Sequence, residues 1–183
     1  MLLIELDGFE ACVKYELGIL KEILEKNGAI SIIQAKNDIE NENIWRARRS
    51  AFSALSQLKP NVITEDIVVP KSKIVDFVIK TQELSKKYNI ITAIMGHAGD
   101  GNIHPNFALD LENDFEKNNF KKLKDELFNY AISVGATLSG EHGIGIQKQK
   151  YLSKVLDKNA HNLMRNIKKL LDSKDILNTG KSI

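Results

Sequence analysis

The chain has 183 residues, of which 43% are hydrophobic and 27% charged, with a formal net charge of +2. This is the composition of a globular protein with a core, and so small a charge argues against nucleic acid or an acidic membrane as a partner. The single Cys12 excludes an internal disulfide and a thiolate metal cage, and its place in a helical pattern predicts a small core residue. No apolar run reaches the roughly 18 residues of a transmembrane helix, and MLLIELDG turns acidic too early for a signal peptide.

Hydrophobic periodicity and turn residues predict alternating strands and helices in the first half of the chain. Asn27-Gly28 is expected to end the first helix, Lys59-Pro60 the second, and Ser72 to cap the third. The expected order is a strand at 2–8, a helix over 10–26, a strand at 29–36, a helix over 37–58, a strand at 62–70 and a helix over 72–87.

The second half begins with a strand at 89–96 and its hairpin partner at 102–109. A helix over 114–134, with Phe115 on its core face, a glycine-punctuated segment at 136–148 and a last helix over 149–171 follow. Strands separated by helices, together with a hairpin, predict the α+β class: a mostly antiparallel sheet covered by helices. The absence of any internal linker or repeat predicts one domain over 1–183.

The segment MGHAGDGNIHPNF (95–107) combines three glycines with two histidines seven residues apart. The glycines predict a tight turn between two hairpin arms, and alternation along the second arm places Asn102, His104 and Asn106 on one face. Two imidazoles near the base of a hairpin, His97 and His104, can converge on one divalent metal, which then needs a third ligand such as a carboxylate. The alternative is a pair of hydrogen-bonded turn histidines.

A second glycine-rich segment, SGEHGIG (139–145), contains the adjacent residues Glu141 and His142. Adjacent side chains of an extended segment point apart, so we expect Glu141 to be the third metal ligand and His142 to be free as a general base. The alternative is a solvent-exposed turn with a local Glu–His contact. His161, on a helix between charged residues, is expected to have no such role.

The segment WRARRSAF (45–52) places three arginines on one helix beside Trp45 and Phe52. One arginine turned inward would clamp a carboxylate through two hydrogen bonds, although helical arginines usually face solvent. Taken together, the residues describe a metal site that binds a small anion bearing an acidic proton, and they leave the reaction open.

The two glycine-histidine motifs resemble those of the carboxy-terminal domain of FAD-linked oxidases that act on D-2-hydroxy acids. That group includes the glycolate oxidase FAD subunit, D-lactate dehydrogenase and D-2-hydroxyglutarate dehydrogenase. The stretches LLIELDG, W-x-x-R, EDIVVP and DILNTGK follow in the family's order and spacing. The resemblance covers essentially the whole chain and implies the family's ferredoxin-like α+β fold.

The resemblance also implies a role for each matching residue. His97, His104 and Glu141 would bind a divalent metal, usually zinc, which holds the hydroxyl and carboxylate oxygens of the substrate. His142 would take the hydroxyl proton while hydride leaves the α-carbon for FAD.

Further matches concern the substrate carboxylate and the flavin. Arg48 would pair with the substrate carboxylate, with Arg49 as the alternative one register away, and Asn106 would contact the substrate. Asn178 and Lys181 match a terminal segment that approaches the flavin.

Three departures from the family pattern affect these expectations. Thr179 stands where the family usually has proline, so that turn is expected to be less rigid. Thr64 stands where some relatives carry a substrate lysine, which favours glycolate or D-lactate over 2-hydroxyglutarate. The family's amino-terminal FAD-binding domain is absent from the sequence, so we expect an excised domain, a fragment or a split-gene product that is inactive alone.

Two other functions stay open: a non-catalytic metal-binding or subunit-docking module, and a metal-dependent hydrolase that works without flavin. The expected partners are a small D-2-hydroxy acid, an FAD-binding domain in cis or trans, and further oxidase or iron–sulfur subunits. The lone cysteine fits a reducing compartment. The expected location is therefore the cytoplasm, with partner subunits able to hold the chain at the inner membrane.

Overall fold

The computed structural model describes all 183 residues, which divide into two compact units, Met1–Ser50 and Ala51–Ile183. Six α-helices and four β-strands form along the chain, and every strand pairing in its one sheet is antiparallel. This arrangement confirms the α+β class. No helix combines the length and the hydrophobicity needed to cross a bilayer.

The first unit contains α1 (Glu10–Lys26) and most of α2 (Asp38–Leu55), and both predicted helices are confirmed. The strands predicted at 2–8 and 29–36 are wrong, because neither segment belongs to a ladder. A strand needs partners for its backbone N–H and C=O groups, and no segment of this chain pairs with either one. Cys12 was expected in the core but is exposed, because α1 has no buried residue.

The sheet of the second unit has a central strand with partners on both edges. β3 pairs with one edge of β4 and completes the predicted hairpin, while β1 and β2 follow each other along the other edge. The strands are β1 (Asn61–Thr64), β2 (Ile67–Val68), β3 (Ile91–His97) and β4 (Asn102–Leu109).

The strand predicted at 62–70 is interrupted at Glu65 and Asp66. The register of β1 and of β2 against β4 is continuous, so these two residues lie opposite Pro105 and His104. Pro105 has no N–H to donate to a ladder, and the single bond there runs from the Glu65 N–H to the Pro105 carbonyl, at 2.9 Å. The break therefore places two carboxylates inside the sheet.

Two long helices, α3 (Ile74–Tyr88) and α4 (Asp114–Ser133), pack with one face of the sheet around the core. The fully buried members of this core include Ile67, Phe77, Phe107, Leu123, Leu127 and Phe128. Ser72 does not cap α3 as predicted, because it lies inside a 3₁₀ turn that precedes the helix. Phe115 was expected in the core but is 68% exposed, because it lies in the first turn of α4, whose amide groups Asn113 caps.

The last predicted helix is two helices, α5 (Gln149–Val155) and α6 (Lys158–Leu171). The Asp157 side chain accepts hydrogen bonds from the N–H groups of Asn159 and Ala160, at 2.7 and 2.8 Å. Aspartate is a favoured N-cap residue, so it starts a new helix here instead of continuing the old one.

Candidate metal centre

The β3–β4 hairpin brings His97 and His104 to the same face of the sheet. His97 pairs with Asn102, two residues before His104, and side chains two apart on a strand share a face. The two imidazole rings lie edge to face with centroids 5.6 Å apart. The turn needs Gly101, whose φ is +82° and where a Cβ would lie 2.1 Å from the Val69 carbonyl oxygen.

Thr137 forms an isolated bridge with Val68 of β2, and the loop that follows Thr137 carries Glu141 to this hairpin. Oε1 of Glu141 lies 3.3 Å from Nε2 of His104, and one ligand atom from each of His97, His104 and Glu141 lies within 4.8 Å of the others. Donor atoms bound to one zinc ion lie roughly 3.4 Å apart in tetrahedral geometry. Two imidazoles and a carboxylate at these separations fit a three-ligand zinc site, and the exposed His97 and Glu141 leave one side open.

His142 lies beside the same group instead of pointing away from it. Its ring stacks on that of His104, with centroids 5.4 Å apart and an interplanar angle of 18°, and its Nε2 atom is 3.7 Å from Oε1 of Glu141. The expectation of opposed side chains was wrong because residues 139–142 bend instead of forming a strand. The side chain of His142 is 46% exposed, so it can exchange a proton with a bound molecule or with water.

Asp66 organises this region, and sequence reasoning missed it. Its Oδ2 atom accepts hydrogen bonds from the Ser139 hydroxyl at 2.5 Å and from the N–H groups of Gly140, Glu141 and His142 at 2.8 to 2.9 Å. Its Oδ1 atom lies 3.9 Å from Nδ1 of His104, and neither atom has a hydrogen-bond partner. The sequence did contain a signal for such a role: Glu65 and Asp66 interrupt an otherwise apolar strand, and because unpaired charges are costly to bury, both carboxylates need partners.

Hydrogen bonds keep Asp66 ionised although it is fully buried. Burial by itself would raise the pKa of this carboxyl, but bonds from Ser139 and from the amides of His142 and Glu141, with the nearby charge of Lys148, hold the pKa well below its usual range. The Lys148 ammonium donates to the Asp66 carbonyl at 2.8 Å, and burial lowers the pKa of Lys148.

The side chain of Glu65 lies on the opposite side of the strand from that of Asp66. Its carboxylate forms an ion pair with Lys124 at 2.5 Å and lies 4.0 Å from the ammonium of Lys148. Both lysines lie within 6 Å of the Phe128 ring, which belongs to the helix-covered core. The two neighbouring carboxylates share the Lys148 ammonium, which is 4.0 Å from each, but their other partners differ: Glu65 pairs with Lys124, and Asp66 faces His104 and binds the Ser139–His142 loop.

Asn106 is 1% exposed, and its side-chain amide makes three hydrogen bonds. Its Oδ1 accepts from the Thr64 hydroxyl at 2.7 Å, and its Nδ2 donates to the carbonyls of His104 and Ala93 at 2.7 and 3.3 Å. In this structure Asn106 thus braces the backbone of His104, and its contact with a substrate stays a prediction.

The predicted arginines and the predicted residues of the terminal segment are not members of the three-ligand group. Arg48 is exposed on α2 and forms no ion pair, whereas Arg49 pairs with Glu42 on the same helix. In the tail, the Lys181 ammonium donates to the Asn178 side chain at 3.3 Å, and the backbone N–H of Lys181 donates to the Asn178 carbonyl at 3.0 Å. The roles predicted for these residues stay predictions.

Residues 1–182 match the family described as FAD linked oxidases, C-terminal domain. The chain belongs to this family. The match covers both compact units and includes every residue of the three-ligand group.

Named relatives of this FAD-linked oxidase domain are dehydrogenases and oxidase subunits. It is 39% identical to the glycolate oxidase subunit GlcD of Bacillus subtilis over 99% of the chain and 38% of that relative. It is 30% identical to GlcD of Escherichia coli K12 over 100% of the chain and 37% of the relative. It is 29% identical to the mitochondrial D-lactate dehydrogenase [cytochrome] of Arabidopsis thaliana over 100% and 32%. The chain thus spans about a third of the length of these relatives.

Proposed function

We propose that this chain is the substrate- and metal-binding part of a flavin-dependent dehydrogenase of D-2-hydroxy acids, of the glycolate or D-lactate type. The observation that carries the proposal is the convergence of His97, His104 and Glu141, with His142 stacked beside them. The substrate class is drawn from the names of its relatives, a glycolate oxidase subunit and a D-lactate dehydrogenase.

In this proposal His97, His104 and Glu141 hold a divalent metal ion. Zinc is the first choice, because imidazole and carboxylate ligands in a three-ligand set with an open position are typical of catalytic zinc. A bound ion would act as a Lewis acid toward the hydroxyl and carboxylate oxygens of the substrate. The buried His104 would anchor the set, and the exposed His97 and Glu141 would complete it at the surface.

His142 would act as the general base of the reaction. FAD, when bound, would supply the acceptor for the hydride of the α-carbon, and the His142 imidazole would take the hydroxyl proton, so that the 2-hydroxy acid becomes a 2-oxo acid. FAD would be held mainly by a further domain, in cis or in trans, with Asn178 and Lys181 approaching it. Such a proton acceptor must be reachable, which agrees with the half-exposed His142 ring.

Two side chains would bind the rest of the substrate. Arg48 is free of any ion pair, and its planar guanidinium suits a carboxylate through two parallel hydrogen bonds. Asn106 would contribute a polar contact, and Thr64, bonded to it at 2.7 Å, provides no positive charge for a second carboxylate. This composition favours glycolate or D-lactate over a dicarboxylic acid.

Metal analysis of the purified, tag-free chain tests the first step. We expect about one zinc ion per chain after equilibration with micromolar zinc, and loss of that ion in His97→Ala and in Glu141→Ala. His161→Ala is the matched control, because His161 lies on α6 outside the three-ligand group. A chain that binds no zinc at micromolar concentrations would rule out the metal centre.

Reconstitution with a separately produced FAD-binding domain tests the reaction. We expect dye reduction with glycolate or D-lactate and much less with L-lactate, and no hydrolytic activity without flavin. A folded complex that contains zinc and FAD but stays inert toward every 2-hydroxy acid would favour a non-catalytic metal-binding or docking module instead.

We also infer that the chain works in the cytoplasm with further oxidase or iron–sulfur subunits, which could hold it at the inner membrane. The single cysteine, unpaired and exposed, fits a reducing compartment. Co-purification of the endogenous complex with the membrane fraction, and its release by high salt, would test this inference.

A further inference from the structure

We propose that Asp66 is the positioning residue of the metal centre and sets the geometry of both halves of the site at once. One oxygen of its carboxylate holds the Ser139–His142 loop, and the other faces the ring of His104. This inference rests on the proposed metal site and adds a residue that contacts neither metal nor substrate in that proposal.

Asp66 holds the loop that carries Glu141. Four donors converge on Oδ2 of Asp66: the Ser139 hydroxyl and three consecutive backbone N–H groups, those of Gly140, Glu141 and His142. Consecutive N–H groups aimed at one point form a concave anion-binding arrangement. Here the anion belongs to the protein itself, so the backbone of Glu141 and His142 is tied to the edge of the sheet.

The close fit of the loop supports this arrangement. A Cβ at Gly140 would lie 2.7 Å from the Asn102 side chain and 2.7 Å from Cγ2 of Val68. The Ser139 hydroxyl, which donates to Asp66, also accepts from the N–H of Gly143 at 2.7 Å. The loop is thus closed on itself and pressed against β2 and β4, with Asp66 as the common acceptor.

The other oxygen of the Asp66 carboxylate faces the ring of His104. Asp66 lies opposite His104 in the continued register of the sheet, and its Oδ1 is 3.9 Å from Nδ1. That distance is too long for a direct hydrogen bond, so the carboxylate acts through its charge. The Asp66 carboxylate thus lies against the Nδ1 edge of the His104 ring and fixes its orientation, while the Nε2 edge faces Oε1 of Glu141 at 3.3 Å.

Glu65 provides a matched control for the charge. It is the neighbouring residue and equally buried, but it pairs with Lys124 and has no bond to the loop or to a histidine. If Asp66 only contributed to folding, neutralising either carboxylate would have similar effects on metal binding. If Asp66 positions the ligands, only its own neutralisation changes the metal site.

The experiment compares Asp66→Asn, Glu65→Gln and Ser139→Ala with the unmodified 183-residue chain. Zinc affinity is measured by competition with a chromophoric chelator, and ligand geometry by the visible spectrum of the cobalt-substituted chain. We expect about 10- to 100-fold weaker zinc binding and a changed cobalt spectrum in Asp66→Asn, as for other residues that orient metal ligands. Ser139→Ala should be weakened less, and Glu65→Gln should keep its affinity within about twofold.

A metal-free measurement separates this inference from the proposed function. Amide hydrogen exchange of the metal-free chain should be slow at Gly140, Glu141 and His142, which donate to Asp66, and it should become faster in Asp66→Asn but not in Glu65→Gln. If the unmodified chain binds no zinc, the proposed metal site fails, and the exchange rates alone decide whether Asp66 positions the loop that carries Glu141.

Two results would overturn the positioning role. One is zinc affinity, cobalt spectrum and loop amide exchange in Asp66→Asn that all match the unmodified chain. The other is an equal loss of zinc affinity in a Glu65→Gln chain whose circular dichroism shows that it is folded. If Asp66→Asn does not fold, Ser139→Ala decides, because it removes one bond to Asp66 and leaves the carboxylate in place; unchanged zinc binding in that variant would count against the inference.

Discussion

The ammonium of Lys124 lies 2.5 Å from Oε1 of Glu65, and both side chains are buried between the sheet and α4. Removing one partner of a buried pair leaves the other charge uncompensated, which costs about 3–5 kcal/mol. We therefore expect Glu65→Gln and Lys124→Met each to lower the free energy of unfolding by several kcal/mol.

The double variant should lose much less than the sum of the two single losses, because it leaves neither charge behind. Urea unfolding at pH 7 measures all three. The exposed pair Lys73–Asp76 is the control, and its removal should change stability by about 1 kcal/mol or less. Additive losses at Glu65 and Lys124 would show that the two charges are not coupled.

Gly101 should be the glycine of the hairpin turn that tolerates substitution least. A Cβ there would lie 2.1 Å from the Val69 carbonyl oxygen, with φ at +82°, whereas a Cβ at Gly99 would meet nothing within 4 Å. We expect Gly101→Ala to lower the free energy of unfolding by about 2 kcal/mol or more and Gly99→Ala to change it little. Equal effects in urea unfolding would contradict this account of the turn.

Zinc should stabilise the chain only while the three-ligand group is intact. An ion bound by the folded state alone raises the free energy of unfolding by about 2.7 kcal/mol at 100 times its dissociation constant. Thermal unfolding with and without zinc should show this gain in the unmodified chain and in His161→Ala, and its loss in Glu141→Ala. A zinc-dependent shift that survives in Glu141→Ala would place the ion elsewhere.

We expect substitution of His142 to impair catalysis without removing the metal ion. Because His142 is outside the three-ligand group, His142→Ala should keep its zinc. In the complex reconstituted with an FAD-binding domain, the same variant should reduce dye about 10²- to 10⁴-fold more slowly, the usual contribution of a general base. Activity close to that of the unmodified complex would assign the proton to another group.

The hydrogen bonds that hold the segment after α6 to Asp172 should break within a defined range of low pH. Asp172 accepts hydrogen bonds from the N–H groups of Ile176 and Leu177 at 3.0 and 2.9 Å, and the bond from Lys168, followed by those backbone bonds, lowers the pKa of Asp172 to about 2. A lowered carboxyl pKa stabilises the folded state above the ordinary value near 4, and this stabilisation is lost as the pH falls through the folded pKa.

Amide chemical shifts of Ile176 and Leu177, followed by NMR from pH 6 to pH 1.5, measure this response. We expect a midpoint near pH 2 in the unmodified chain and no such transition in Asp172→Asn. A midpoint near pH 4 would show that the bonds to Asp172 do not form in solution.

Sequence patterns correctly predicted the elements that are stabilised by residues close to them in the chain. The hairpin strands around His97 and His104 and the helix α1 agree closely with expectation. The strands expected at 2–8 and 29–36 do not form, because a strand depends on a partner that hydrophobic runs cannot identify.

The amino-acid sequence was enough to identify the chemical groups of the candidate site: His97, His104, Glu141 and His142 in two glycine-rich segments. How those segments meet depends on contacts between distant parts of the fold. Asp66 accepts a hydrogen bond from the N–H of His142 at 2.8 Å although 76 residues separate them. No periodic pattern in the sequence reveals such a bond. It depends on the register with which β1 and β2 pair with β4, which sets the position of Asp66, and on a loop that is remote in the chain.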